Sequence, residues 1–310
     1  MAPDIDDLLL ERLPIPPCEG PKLEAFEHFQ NEIEFLGLLS CDPTSMESRT
    51  GHSYVFDVRI RDARFALKVF KSYDAAEARY EMSASLRRKV SDETLTFHTD
   101  PFFAECRAYG RINQYYEGLG NTAERRRGRS RSGPRTANTR LLAVPCYGYI
   151  TLSADYEKLF REKFDIFDWN RPDLEDSNHV ARKPFRALVK KFIPSQVSIL
   201  NPRRMLGDLK KLRNLGIFVR DIYARNYKDG LLVDFSVAWT EPHWCMRAMG
   251  RYQLECEKRS DLNLFDAMIE HKKVKTVVRA TRNYLYCRKL RSYDIEHASE
   301  SSSEWILRHI

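Results

Sequence analysis

One stretch constrains this 310-residue chain more than any other: Leu215 to Ser236, LGIFVRDIYARNYKDGLLVDFS. It carries Asp221, then Asn226 five residues on, then Asp234 eight residues after that. Between the last two lies Asp229-Gly230, the strongest hairpin dipeptide, flanked by a short strand and by Leu231-Leu232-Val233. The stretch reads as a loop, a tight hairpin and a second loop ending in an acid. Three oxygen-bearing side chains presented from one such unit suit a hard cation such as magnesium, which takes oxygen ligands and commonly a phosphate as well. The plainer alternative is a solvated hairpin, because Asp and Asn are frequent in turns.

Composition limits what can surround this unit. With 43% hydrophobic and 31% charged residues, the chain can form one large domain or two lobes around a core. No apolar run reaches the roughly 18 residues of a membrane span. The N-terminus, MAPDIDDLLLERLPIPP, lacks the basic region and apolar core of a secretory signal, so an intracellular protein without membrane contact is expected. The seven cysteines are scattered and form no C-x-x-C pair, which fits reduced thiols in the cytosol or nucleus. His243 and Cys245 are close in sequence, but no second pair joins them, and no zinc site is expected. The net charge of +7 equals the seven arginines of Arg125 to Arg140, RRRGRSRSGPRTANTR. The basic character therefore belongs to one loop, a weak signal for nucleic acid.

Along the chain, residues 1–23 read as an extended arm, broken by Pro14, Pro16, Pro17 and Pro21. Phe26, Phe29, Ile33, Leu36 and Leu39 recur at helical spacing and predict a helix over Glu24–Leu39. Ser53–Ile60 and Phe65–Phe70 read as strands joined by a turn at Arg61–Arg64. Lys68 sits inside the second strand, where a lysine either snorkels to water or meets an anion. Thr99-Asp100-Pro101 is a helix start, and the helix that follows brings Glu105 in among Phe102, Cys106 and Tyr109. Glu105 is either an acid favoured near a helix N-terminus or the partner of Lys68. Residues 118–140 read as a disordered Arg-rich insertion, with Ser130 and Ser132 as candidate phosphorylation sites. Leu141–Leu152 reads as a strand pair about a turn, Asp155–Arg182 as helix then loop, and Phe185–Ile193 as a strand ending at a Pro194-Ser195 hinge. Asn201–Leu215 reads as a core helix with Gly216 at its C-terminal cap. Met249–His271 is helical, and Val274, Val277, Val278, Thr281 and Leu285 suggest one more helical stripe before a Ser-rich tail at 296–310.

Strand lysine, helix glutamate, then Asp, Asn and Asp-Phe-Ser resemble, in that order, the site of protein kinases, whose motifs are a strand lysine, H-R-D-x-x-x-x-N and D-F-G. The resemblance implies an α+β bilobal fold, with a small β-rich N-lobe over residues 24–193 and a reduced helical C-lobe over 194–295. It implies Mg2+ and ATP as cofactors. Val55, Lys68 and Glu105 would form the ATP-binding side, Asn226 and Asp234 would hold the metal, and Asp221 would be the catalytic acceptor of the hydroxyl proton.

The sequence also departs from that pattern. Aligned on Val55, the glycine loop has Ser48, Thr50 and Ser53 where glycines belong. The loop histidine is Val219, the lysine two residues after Asp221 is Tyr223, and the last glycine is Ser236. Ser236 to Pro242 leaves no room for an activation segment. These features point to a divergent kinase or a pseudokinase.

The chain further resembles a fungal family of kinase-like proteins named for an inner-kinetochore subunit, the Fta-two subunit of the Sim-four complex. Phe65-Ala66-Leu67-Lys68, Glu105-Cys106-Arg107-Ala108-Tyr109-Gly110-Arg111, Cys146-Tyr147-Gly148-Tyr149 and Asp234-Phe235-Ser236 carry the resemblance, which spans roughly residues 20 to 245. It implies a nuclear, kinetochore-associated protein with other complex subunits as partners. Two functions follow as expectations: a kinase-like scaffold that retains some nucleotide binding, and an active Mg-ATP-dependent phosphotransferase with an unknown acceptor.

Overall fold

The computed structural model describes residues 22–40, 51–80, 82, 87–88, 90–127, 140–171, 183–194 and 197–281. Five strands, β1 (Ile33–Leu38), β2 (Ser53–Ile60), β3 (Ala63–Phe70), β4 (Cys146–Leu152) and β5 (Phe185–Lys191), form one antiparallel sheet in the order β1-β2-β3-β5-β4. β2 and β3 pair without a slip from Ser53–Phe70 to Ile60–Ala63, and Arg61 turns the corner with φ 54°. Alternation then sorts the side chains. Phe56, Val58, Leu67, Val69, Ala187 and Val189 point to one face and pack with Phe160 and Trp169. Phe56 stacks on Phe160 at 4.8 Å between ring centroids. The opposite face carries Lys68 and, one strand over, Lys190.

The helices are α1 (Ala75–Tyr80), α2 (Asp92–Thr99), α3 (Pro101–Arg127), α4 (Tyr156–Phe164), α5 (Pro202–Asn214), α6 (Trp244–Ala248) and α7 (Arg251–His271). α3 starts as the sequence predicts: Asp100 Oδ1 accepts from the Phe102 amide at 3.0 Å, and Asp100 Oδ2 lies 2.6 Å from Arg186. Its residues 101–110 are buried all round, so α3 is a central helix rather than a surface one. Tyr109 and Ile112 extend into a second core built with Met205, Leu209, Phe235 and Phe265. Arg111 fastens α3 to this half of the chain by donating to the carbonyls of Leu215 (2.9 Å) and Glu241 (2.7 Å).

Four short strands, β6 (Ile217–Phe218), β7 (Tyr227–Lys228), β8 (Leu231–Leu232) and β9 (Trp239–Thr240), frame the stretch from which the sequence argument began. β7 and β8 form the expected hairpin, with Asp229 and Gly230 both at positive φ (51° and 72°). Its tip bonds back to the connector, Asp229 N to Val197 O at 2.7 Å and Gly230 N to Ser198 O at 3.1 Å. At the far edge of the large sheet, residues 24–26 run beside β4, with Phe26 N on Tyr149 O (2.9 Å) and Tyr149 N on Glu24 O (3.1 Å).

Several expectations are corrected. The helix over Glu24–Leu39 is instead a turn followed by β1. Gly37 weakens a helix there, and pairing with β2 seats Phe35 edge-on against both Phe56 and Phe160. Leu141–Leu152 gives one strand, not two, because Ala143 bridges to Leu232 outside the large sheet. α3 continues through residues 118–127, the first part of the stretch read as an insertion. Residues 274–281 are not helical, and Val277 is 92% exposed. α1 and α2 were not anticipated. The expectations for residues 1–21, Ser48, Thr50, 128–139 with Ser130 and Ser132, 172–182, Ser195, Leu285 and 296–310 lie outside the described residues.

Candidate functional site

β3 and α3 bring the first two predicted site residues together. Lys68 Nζ donates to Glu105 Oε2 at 2.8 Å, and neither side chain is more than 4% exposed. The same ammonium donates to Asp234 Oδ1 at 2.7 Å, across 166 residues of sequence. Burial disfavours a charged Lys68, but Asp234 and Glu105 outweigh it and hold its pKa above the ordinary lysine value. Burial likewise opposes ionisation of Asp234. Lys68, Lys190 and the Ser236 amide outweigh that, and its carboxyl lies well below the usual range.

A fourth member was missed by the sequence reading. Lys190 on β5 donates to the other Glu105 oxygen, Oε1, and to the Val233 carbonyl at 2.7 Å. Two ammoniums and two carboxylates therefore close a neutral cluster, buried except at Asp234, whose side chain is 27% exposed, and Val233 and Asp234 are gripped from β5 and β3. Lys190 sits in an apolar strand as Lys68 does, and that signal could have found it.

Asp221 and Asn226 meet beside this cluster. Asn226 Nδ2 donates to Asp221 Oδ2 at 2.7 Å and to the Asp221 carbonyl at 3.1 Å. The 3-10 turn Ala224–Asn226 sets that geometry. Burial raises the Asp221 pKa, Arg225 and Asn226 pull against it, and Asp234 is near enough to raise it further. The loop is anchored from below by Asp261 on α7, 1% exposed and bonded to Arg213, with the Val219 amide facing it. Asp261 is pushed up to about 6 by burial, against Arg213. No sequence signal separated it from the other acids of its helix. Arg220 takes the left-handed conformation (φ 65°), its guanidinium 3.8 Å above the Trp239 ring. Val55 stands opposite Lys68 in the β2–β3 register, partly exposed. No described helix is long and apolar enough to cross a membrane.

No curated protein matches the sequence. Among solved structures, the chain matches vaccinia related kinase 3 at 11% identity and a TM-score of 0.32, over 75% of this chain. The chain spans 56% of the length of that protein's solved chain. The family described as kinetochore Sim4 complex subunit FTA2 matches over residues 12–120 and 134–239, and this chain belongs to it.

Proposed function

We propose that this chain is a kinase-like pseudokinase subunit that acts by assembling with other kinetochore proteins in the nucleus. In this reading a small N-lobe over residues 24–193 and a reduced C-lobe over 194–295 serve as a scaffold. Lys190 carries the argument. Together with Lys68 it balances Glu105 and Asp234 without any phosphate, so the buried charges are satisfied by the protein alone. The serines and threonine in place of loop glycines, and the short run from Ser236 to Pro242, support the same conclusion. Residues 1–23 and the Arg-rich segment 125–140 are further contact surfaces in this reading, the latter with a secondary capacity for nucleic acid.

A second reading, Mg-ATP-dependent phosphotransfer, is favoured by one observation. Asp234 Oδ2 and Asn226 Oδ1 take no protein hydrogen bond among the described residues, and both are oxygens of the kind magnesium uses. In that case Asn226 and Asp234 would hold the ion, Lys68 the phosphates beside Val55, and Asp221 the acceptor hydroxyl. The bound ion would neutralise charge between the phosphates.

The deciding experiment replaces Asp221 with Asn in cells and in purified protein. The scaffold reading expects wild-type function in cells and no protein phosphorylation in vitro. It is overturned if the purified chain transfers labelled phosphate and Asp221→Asn slows transfer by about 10²–10⁴.

A further inference from the structure

The chain leaves α7 through a basic run. Residues 272–291 hold eight Lys and Arg and no Asp or Glu, against a net charge of +7 for the whole chain. Since Arg125–Arg140 holds seven more arginines, everything outside these two runs is net acidic. The basic excess is therefore not confined to Arg125–Arg140. It has two separate seats, and the second begins within the described residues, at 272–281.

This strap is fastened to the helix before it. Asp266 on α7 is fully buried, and its two oxygens accept from the Ala280 amide (2.6 Å), the Thr281 amide (3.0 Å) and the Thr281 hydroxyl (2.7 Å). The Val274 amide donates to the Ile269 carbonyl at 3.0 Å, and Val274, Val278 and Ala280 pack on the core that contains Phe265. Exposure alternates as along an extended chain: Lys273, Lys275 and Val277 face solvent between the half-buried Val274, Thr276 and Val278. Lys272 is exposed as well. Among the described residues, none of Lys272, Lys273 and Lys275 pairs with a carboxylate, and the Lys275 and Val277 amides have no protein acceptor. Arg279 donates to the Thr276 and Val278 carbonyls of the strap itself.

We propose that the strap at 272–281 binds the phosphate backbone of a nucleic acid. Its free cations are lysines, compact charges on flexible stems, strung along a chain whose course is fixed by Asp266. A duplex presents about one phosphate charge per 1.7 Å of its axis and meets such a row without a fixed docking geometry. The unpaired amides add donors for phosphate oxygens. A carboxylate of a protein partner is held best by a free guanidinium fork, and the one arginine of the described strap has turned its fork onto carbonyls. The proposal goes beyond the scaffold reading. It uses neither Lys68 nor Asp221, so a failed Asp221→Asn test leaves it standing.

The test uses the full chain with a fluorescein-labelled DNA duplex and a labelled single-stranded RNA of equal length, read by anisotropy between about 50 and 200 mM salt. Lys272→Gln with Lys273→Gln and Lys275→Gln removes three charges. It should weaken binding alike on duplexes of unrelated sequence, and lower the slope of log affinity against log salt by about 2.7 on DNA or about 2.1 on RNA. Arg125–Arg140 stays intact in every variant, so its share of the binding cancels in the comparison. Lys22→Gln with Lys158→Gln and Lys183→Gln, three exposed lysines elsewhere, changes the net charge equally and should leave the slope unchanged. If the triple strap variant does not fold, Lys272→Gln with Lys275→Gln spares Lys273, whose φ is 51°, and should still lower the slope on DNA by about 1.8. A lowered slope on the duplex assigns DNA as the ligand, and one confined to the single strand assigns RNA. An unchanged slope on both probes overturns the proposal, as does an equal change in the control variant. Labelled polyglutamate that binds as tightly as the duplex, and is lost with the same substitutions, would overturn it in favour of an acidic protein partner.

Discussion

Removing the Lys190 ammonium isolates the contribution of the buried cluster to stability. Lys190→Met keeps the length and apolar stem of the side chain but deletes its bonds to Glu105 and to the Val233 carbonyl. Glu105 is fully buried, and with Lys190 gone Lys68 faces two carboxylates, leaving one buried negative charge without a counterpart. Breaking one arm of a buried ion cluster costs about 3–5 kcal/mol. The freed carbonyl adds about 1 kcal/mol, and burying the methionine returns about 1–2 kcal/mol. The expected net loss is about 3 kcal/mol, read as a lower urea midpoint at unchanged m. For domains of about 150–250 residues each kcal/mol moves the thermal midpoint by about 2–4 °C, so a fall of roughly 6–12 °C is expected. Adding Glu105→Met restores charge balance, because Lys68 and Asp234 remain as a neutral pair. The double variant should then be more stable than the sum of the singles by about 2 kcal/mol. A loss below about 1 kcal/mol for Lys190→Met, or additivity within about 0.5 kcal/mol, would refute the view that the four charges act as a unit.

Three further outcomes follow. Asp234 has a depressed pKa, so its contribution to stability is present above the ordinary carboxylate value and is lost as pH falls below about 4; Asp234→Asn should flatten the acid limb of an unfolding-midpoint series there. His98 is lowered to about 4 in the fold, so its contribution is complete above the unfolded value of about 6.5 and declines as pH falls from there toward 4. In His98→Gln, which can still accept from the Trp244 amide, the midpoint should vary less between those limits. Gly148→Ala would place a Cβ 2.6 Å from the Phe26 amide nitrogen at φ 143°, and because the three nearest atoms are all backbone, a loss of at least about 2 kcal/mol is expected in urea unfolding.

Where the signal is local, the sequence sufficed. β2 follows from alternation, β3 from a short, more continuously apolar run, α3 from Asp100-Pro101, and the hairpin from Asp229-Gly230, whose positive φ values are what that dipeptide permits. The sequence raised Glu105 as a partner for Lys68 beside a plainer reading, and placed Asp221 and Asn226 on one compact unit without anticipating the 2.7 Å bond between them. β1 was misread because Phe26, Phe29, Ile33 and Leu36 fall at helical spacing, while the pairing that decides the matter lies across the sheet at Phe56 and Val58. Lys190 was passed over although it lies inside a strand read over Phe185–Ile193, because the adjacent Lys191 gives the pair the look of a solvated stretch. Its burial depends on α3 lying over that position. Asp261 is one acid among several on α7, and only its pairing with Arg213 below the Val219 backbone, which the sequence does not show, sets it apart.

The ladder between residues 24–26 and Tyr149 bears on how one margin of the large sheet is closed. A sheet margin with unpaired amides and carbonyls is a template on which other chains can grow. Here the margin at β4 is occupied by the chain's own backbone, and at β1 the Lys163 ammonium donates to the Phe35 carbonyl at 2.5 Å. The first of these seals depends on Gly148, whose missing side chain is what lets two backbones lie so close. One hydrogen atom in place of a methyl group thus bears on whether the sheet stops at β4 or offers an open margin to its neighbours.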